Sequence, residues 1–163
     1  MSLDSKEFRF ALGNFPTGVT VITSVADSGE LLGATANSFS SVSLDPPLVL
    51  FSLDRGAYSL DAYLNAGVFA VNVLSEAQQD LSNRFARALE DKWVGVDYET
   101  WETGSPILPG TLASFDCRVW NTYDGGDHVI FVGEVLRMSR DTDAHPLVFF
   151  RGQYGLLAKE NNA

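Results

Sequence analysis

Cysteine is almost absent from this chain: Cys117 is the only one in 163 residues, so no intrachain disulfide can form. It alternates with apolar neighbours in LASFDCRVW, a spacing that suits a buried thiol better than a nucleophile. Basic residues are also scarce, eleven Lys or Arg against twenty-one Asp or Glu, for a formal charge of −10. So acidic a chain is poorly matched to nucleic acid or to an anionic membrane surface, and neither is an expected partner. The longest apolar runs, residues 48–51 and 147–150, are far too short to span a bilayer. Residues 1–10 lack the basic, apolar character of a signal segment, which predicts a cytoplasmic product.

Several chemical signatures are missing as well. No GxGxxG follows a first strand and no GxxxxGK[ST] occurs, so a dinucleotide would have to be held by some other geometry. Without a GxSxG elbow, none of the many serines is exposed as a nucleophile. Two distant histidines, His128 and His145, and one cysteine make no metal-ligand pattern. The carboxylates Glu90 and Asp91 read as a solvated helix end.

Hydrophobic residues make up 45% of the chain, enough at this length for one domain, residues 1–163, with a continuous core. Residues 8–12 predict a short amphipathic helix, stopped near Gly13 and Pro16. Residues 19–24 predict a strand that ends at Asp27, Ser28 and Gly29, with a hairpin partner from Leu31. Small and hydroxylic residues then crowd residues 34–43, read as a rigid polar loop, before the buried strand of residues 48–53. A short helix over residues 57–64, a strand over residues 68–73 and a helix over residues 76–89 follow. The last has a capping box at Ser75 and Gln78 and an apolar face of Leu81, Phe85 and Leu89. Residues 92–110 show little periodicity and predict an irregular excursion with one short strand.

The C-terminal third is sheet. Residues 112–119 alternate, NTYDGGD at residues 121–127 reads as a turn, and HVIFVGEVLRM has apolar residues on both faces, as a central strand or barrel stave does. Two more strands, residues 147–150 and 153–157, are divided by Arg151 and Gly152. Few helices among some seven strands favour a closed, largely antiparallel barrel over a doubly wound fold.

Binding equipment outweighs catalytic equipment. Residues 33–53 hold hydroxyls, a carboxamide and free amides on a frame stiffened by Pro46 and Pro47, suited either to a flat, polar or phosphorylated ligand or to a well-bonded turn. Arg55 follows a strand end and Arg84 lies on a helix beside Phe85; each suits a phosphate or simple solubility. His128, between a glycine-rich turn and a buried strand, either orients a ligand or bonds Asp127. Such equipment fits an enzyme whose difficult chemistry is carried by a bound organic cofactor.

Five segments in order carry a resemblance: FPTGVTVIT at residues 15–23, GATANSFSSVSLDPPLVLFSLDR at residues 33–55, FAVNVLSEAQQDLSNRFA at residues 69–86, GDHVIFVGEV at residues 126–135 and PLVFFRGQYGLL at residues 146–157. Together, across residues 8–157, they resemble the flavin reductase family, small reductases that feed two-component monooxygenases. The resemblance implies a mainly β fold, a split β-barrel of the FMN-binding type with Greek-key connections and a few short helices, working as a homodimer. It implies hydride transfer from NADH or NADPH to FMN or FAD, with reduced flavin passed to a separate monooxygenase. Carried over, it places the flavin ring along Thr35, Ala36, Asn37 and Ser38. Ser52, Asp54 and Arg55 surround the ribityl phosphate, and Ser82, Asn83, Arg84 and Phe85 close over that end. Asp127 and His128, with Gly126, match the nicotinamide element, with His128 the catalytic candidate, and Arg151 and Tyr154 stand at the cofactor mouth. One departure is that Gly56 and Ala57 follow Arg55 where many relatives have small hydroxyl residues, which leaves FMN against FAD open. No basic cluster awaits the extra phosphate of NADPH, which favours NADH. A flavin-binding electron-transfer or storage protein without efficient NAD(P)H turnover, or a barrel module without flavin, remain alternatives.

Overall fold

β-Branched and aromatic residues draw most of this chain into strands. The computed structural model describes residues 3–88 and 91–158. In chain order its elements are α1 (Ser5–Leu12), β1 (Thr17–Gly18), β2 (Thr20–Val25), β3 (Leu31–Ala36), β4 (Ser40–Leu44), β5 (Pro47–Asp54), α2 (Leu60–Ala66) and β6 (Val68–Val73). A 3-10 turn (Glu76–Gln78), α3 (Gln79–Phe85), β7 (Glu99–Thr100), β8 (Pro106–Ile107), β9 (Ala113–Gly125), β10 (His128–Arg140), β11 (Leu147–Phe150) and β12 (Gln153–Leu156) complete it. The main sheet has the order β3-β2-β6-β9-β10-β5-β4, all antiparallel, and β1-β11-β12 forms a smaller sheet.

Aromatic packing curls the main sheet. In a flat sheet β6 and β5 would lie roughly 14 Å apart, three strand spacings. Yet the rings of Phe69 on β6 and Phe51 on β5 meet edge to face at 4.9 Å between centroids, and Phe51 stacks on Phe131 of β10 at 4.8 Å. Gly133 makes room for this, because a β-carbon there would run into the Phe69 ring. Tyr63 of α2 plugs one end of the core, its hydroxyl donating to the Ile22 carbonyl at 2.8 Å.

The curl brings the β3 side of the sheet back toward β5. No strand ladder joins them among the described residues; a side chain does. Ser38, just beyond β3, accepts the Ser52 N–H at 2.9 Å and donates to the Ser52 carbonyl at 3.1 Å, taking both positions a paired strand would occupy. A second core of Val19, Val21, Leu74, Phe85, Leu108 and Leu147 lies under α3 and the small sheet.

Several boundaries differ from the sequence expectations for physical reasons. Residues 34–43 are mostly strand, since β3 runs to Ala36 and the serines of β4 sit on an exposed edge where apolar side chains are not needed. The turn expected over residues 121–127 shrinks to Gly126 and Asp127, because ladder bonds to β10 carry β9 through to Gly125 even where its side chains are exposed. The helix expected over residues 76–89 starts as the 3-10 turn, with the Ser75 N–H donating to Gln78 Oε1 at 3.0 Å, and α3 ends at Phe85. Leu89 and Glu90 lie outside the described residues. The excursion of residues 92–110 holds two short strands, β7 and β8, where one was expected. It is pinned by buried Asn72, whose Oδ1 accepts Leu108 N–H at 2.9 Å and whose Nδ2 donates to the Val21 carbonyl at 3.2 Å.

Filling Gly133 should strain the core, since the Phe69 ring it would strike is itself enclosed. Gly133→Ala is expected to destabilise the fold by about 1–3 kcal/mol in urea titration; an unchanged midpoint would contradict the packing. Cys117 is fully buried, and burial first, then the neighbouring Asp116 carboxylate, pushes its thiol well above the usual value near 9.0. The unfolded thiol therefore releases its proton before the folded one does, and stability should fall as pH rises through 9 to 10, by up to ~1.4 kcal/mol per pH unit. Cys117→Ala should show a shallower decline over that window, and equal slopes would show that the thiol titrates alike in both states.

Candidate active site

The end of β5 and the β9–β10 hairpin build one half of the site. Gly126 has φ +77° and Asp127 a negative φ, so the two-residue connection has the glycine-first form that matches strand twist. Register then sets Asp54 opposite His128. The Asp54 carboxylate accepts the Gly56 N–H at 2.6 Å, bending the chain away after the strand and turning Arg55 back to the hairpin. There the Arg55 Nε donates to the Gly126 carbonyl at 2.8 Å and its Nη2 pairs with Asp124 Oδ1 at 2.8 Å. His128 Nδ1 lies 2.7 Å from Asp127 Oδ1, with the imidazole part exposed. The His128 bond holds the Asp127 carboxyl below its usual range, and the Arg55 bond does the same for Asp124.

The other half grows from the edge of β3. Thr35 donates through its hydroxyl to the Ser82 carbonyl at 2.6 Å, tying β3 to α3. The Tyr154 hydroxyl on β12 lies 2.6 Å from Ser82 Oγ and donates to Asn83 Oδ1 at 3.1 Å. Phe85 is buried beneath Gly33, where a β-carbon would meet its ring at 2.5 Å, and Trp93 packs against it edge to face at 4.9 Å. Ala36 accepts the Thr20 hydroxyl at 2.6 Å through its carbonyl, and Asn37 follows at the strand end. Ser38 then links this half to Ser52, two residues before Asp54.

Two of the expected residues stand apart from these bonds. Arg84 donates to the Val94 carbonyl at 2.8 Å and lines a cleft of about 280 Å³ with Asp80, Leu81 and Val96. Arg151 is the one described non-glycine residue with positive φ, +50°, and forms the β11–β12 turn with Gly152. Its Nε donates to Asn14 Oδ1 at 2.9 Å and its N–H to the Gly13 carbonyl at 2.9 Å, so the hairpin is strapped to the end of α1. Tyr154 also lines an open cleft of about 510 Å³ with Glu76, Gln79 and Leu156.

Asp124 and Lys92 were missed as contributors. Asp124 has a legible signal, an aspartate two residues before a glycine in DGG, and its carboxylate indeed accepts the Gly126 N–H at 3.1 Å. Lys92 reaches the carbonyls of Gly33 and Phe85 at 3.1 and 3.3 Å from a segment without periodicity, and burial pulls its ammonium below the usual lysine range. Nothing local in the sequence announces that long-range contact.

Chemically, the β3 half offers edge-strand backbone, hydroxyls and a carboxamide, and the hairpin half an arginine and an imidazole. Neither half contains an assembled nucleophile and base. Every second backbone group of β3 faces away from β2 without a strand partner, as at any sheet edge, and such a row fits the polar rim of a flat heterocycle.

Comparisons with known proteins agree with this chemistry. A family model described as flavin reductase like domain matches residues 12–158. The reductase subunit HsaB of a flavin-dependent monooxygenase from Rhodococcus jostii is 44% identical over 153 residues, covering 94% of this chain and 78% of that protein. The FMN reductase (NADH) SmoA from Agrobacterium fabrum is 46% identical over 160 residues, covering 96% and 88%. Among solved structures, the NADH:FAD oxidoreductase SgcE6 of Streptomyces globisporus, in complex with NAD and FAD fragments, superposes with a TM-score of 0.91 at 36% identity, covering 99% of each chain. With nearly its whole length matched in sequence and in structure, the chain belongs to the flavin reductase family.

Proposed function

We infer that this protein is an NAD(P)H-dependent flavin reductase that supplies reduced flavin to a partner monooxygenase. The observation that carries the site assignment is the meeting of three segments distant in sequence: the β3 edge, the end of β5 and the Gly126–His128 turn are joined by Ser38–Ser52 and Arg55–Gly126 bonds. We propose that the flavin ring lies along Thr35, Ala36, Asn37 and Ser38. Ser38 contributes backbone there, because its hydroxyl is engaged by Ser52. Ser52, Asp54 and Arg55 mark the phosphate end, with Ser82, Asn83, Arg84 and Phe85 beside it and Arg151 and Tyr154 at the mouth. A split β-barrel with Greek-key connections, in one domain, suits the curled sheet.

When bound, flavin supplies the hydride acceptor and NAD(P)H the donor. The work of the chain is to hold both in near contact with water kept away. His128, anchored at Nδ1 by Asp127, presents Nε2 from the first residue of β10, where it would orient the nicotinamide. Gly56 and Ala57 after Arg55 leave FMN against FAD open, and the sparse cations favour NADH over NADPH.

Exposed apolar side chains on and just after α1 support a homodimer. Phe8, Phe10, Leu12 and Phe15 are exposed by half or more, and α1 buries no residue of its own. Eight residues are too few for a stable helix in water, so a second copy of this chain is the cover we propose. No helix among the described residues is long and apolar enough to cross a membrane. A soluble nicotinamide substrate suits a cytoplasmic location, and the net charge of −10 disfavours nucleic acid.

Crossing NADH and NADPH with FMN, FAD and riboflavin should give steady nicotinamide oxidation with at least one pair; inertness throughout would leave a flavin-holding protein. His128→Ala is expected to slow reduction of bound flavin by about tenfold to a hundredfold at saturating NADH, with flavin affinity nearly unchanged. Stopped-flow reduction at the wild-type rate would remove His128 from the reaction.

A further inference from the structure

Arg55 directs its bonds into a single hairpin turn. Its backbone N–H donates to the Asp127 carbonyl at 2.9 Å, its Nε to the Gly126 carbonyl at 2.8 Å and its Nη2 to Asp124 Oδ1 at 2.8 Å. The same carboxylate oxygen takes the Gly126 N–H at 3.1 Å. All of these contacts fall on the residues immediately before His128.

Beyond the ladder bonds that close it at Gly125 and His128 and the Asp127–His128 bond, the turn has no side-chain tie among the described residues but these. Gly125 and Gly126 bring no side chains, and the Asp124 and Asp127 side chains are 80% and 91% exposed. Glycine samples more backbone conformations than any other residue, so such a turn wanders unless its carbonyls and amides are tied. An exposed ion pair adds little to global stability, and the effect of this one is therefore local order. A guanidinium suits that duty, since its planar fork presents Nε and Nη2 in fixed relation to a carbonyl and a carboxylate together. A lysine ammonium offers no such fork.

We propose that Arg55 and Asp124 are positioning residues for hydride transfer, locking the Gly126–Asp127 turn so that His128 meets the nicotinamide in one orientation. This rests on the flavin reductase reading above and gives the Arg55 guanidinium a duty other than gripping the flavin phosphate. Two of its nitrogens, Nε and Nη2, are already engaged by the turn.

The test compares wild type with Arg55→Ala, Arg55→Lys, Asp124→Ala and the Arg55→Ala, Asp124→Ala double variant. In flavin-free protein, the backbone order parameters of Gly126 and Asp127 from ¹⁵N relaxation should fall from the rigid range near about 0.85 toward about 0.6 in every variant. The double variant should loosen the turn by less than the sum of the two singles, because the shared Arg55–Asp124 bond is already lost in each. Calorimetric titration should leave the ratio of FMN to riboflavin affinity at its wild-type value. Anaerobic reduction of bound flavin at saturating NADH should slow by about tenfold, the scale of one charge-assisted hydrogen bond. A rigid turn in Arg55→Ala, or a selective loss of FMN affinity over riboflavin, would overturn the proposal and make Arg55 a phosphate reader. A wild-type protein that neither binds flavin nor oxidises NADH would overturn the reductase reading instead, while the flavin-free relaxation data would still decide whether the turn is locked.

Discussion

The packing of Phe51 between Phe69 and Phe131 governs the rest of the structure, because it decides that the main sheet cannot be flat. Three strands of separation collapse to a ring contact of 4.9 Å, and Gly133 leaves the space that permits it. Once curled, the sheet has the end of β3 near β5, where Ser38, in line with the Ser40–Leu50 pair of the β4–β5 ladder, holds both backbone groups of Ser52. Without that curl the β3 edge would be an ordinary exposed strand. With it, an edge that has no strand partner among the described residues, its Gly33 carbonyl held by Lys92, stands next to a strand end that carries an aspartate and an arginine.

The same geometry explains why the site divides into two bonded halves. One is a hydroxyl cluster, with Thr35 fastened to α3 and Tyr154 to Ser82 and Asn83. The other is electrostatic, with Arg55, Asp124, Asp127 and His128 arranged about a two-residue turn. A flavin reductase needs two flat partners brought into contact without attacking either covalently. Both halves supply binding groups and neither assembles a nucleophile with a base, which suits that need.

Much of this was legible in the sequence wherever period and punctuation agree. Strand β6 follows its apolar run from Val68 to Val73, and Gly67 ahead of it adopts the left-handed conformation at the end of α2. The capping pattern of Ser75 and Gln78 does mark a helix start. Where ladder bonds rather than side-chain patterns set the structure, prediction failed: the serines of β4 and the polar stretch of β9 look like loop because their side chains face water. Contacts at long range were also invisible, as with Lys92 beneath Gly33 and Arg151 strapped to Asn14. The segments expected to form the site are linked by bonds between their ends, but no periodicity foretells that Arg55 turns toward the hairpin.

A crystal structure with flavin and oxidised nicotinamide bound tests the central claim most directly. The account expects the isoalloxazine against the Thr35–Ser38 backbone, with the nicotinamide between it and His128. A flavin seated instead in the cleft of Glu76, Gln79 and Leu156, away from the β3 edge, would contradict it.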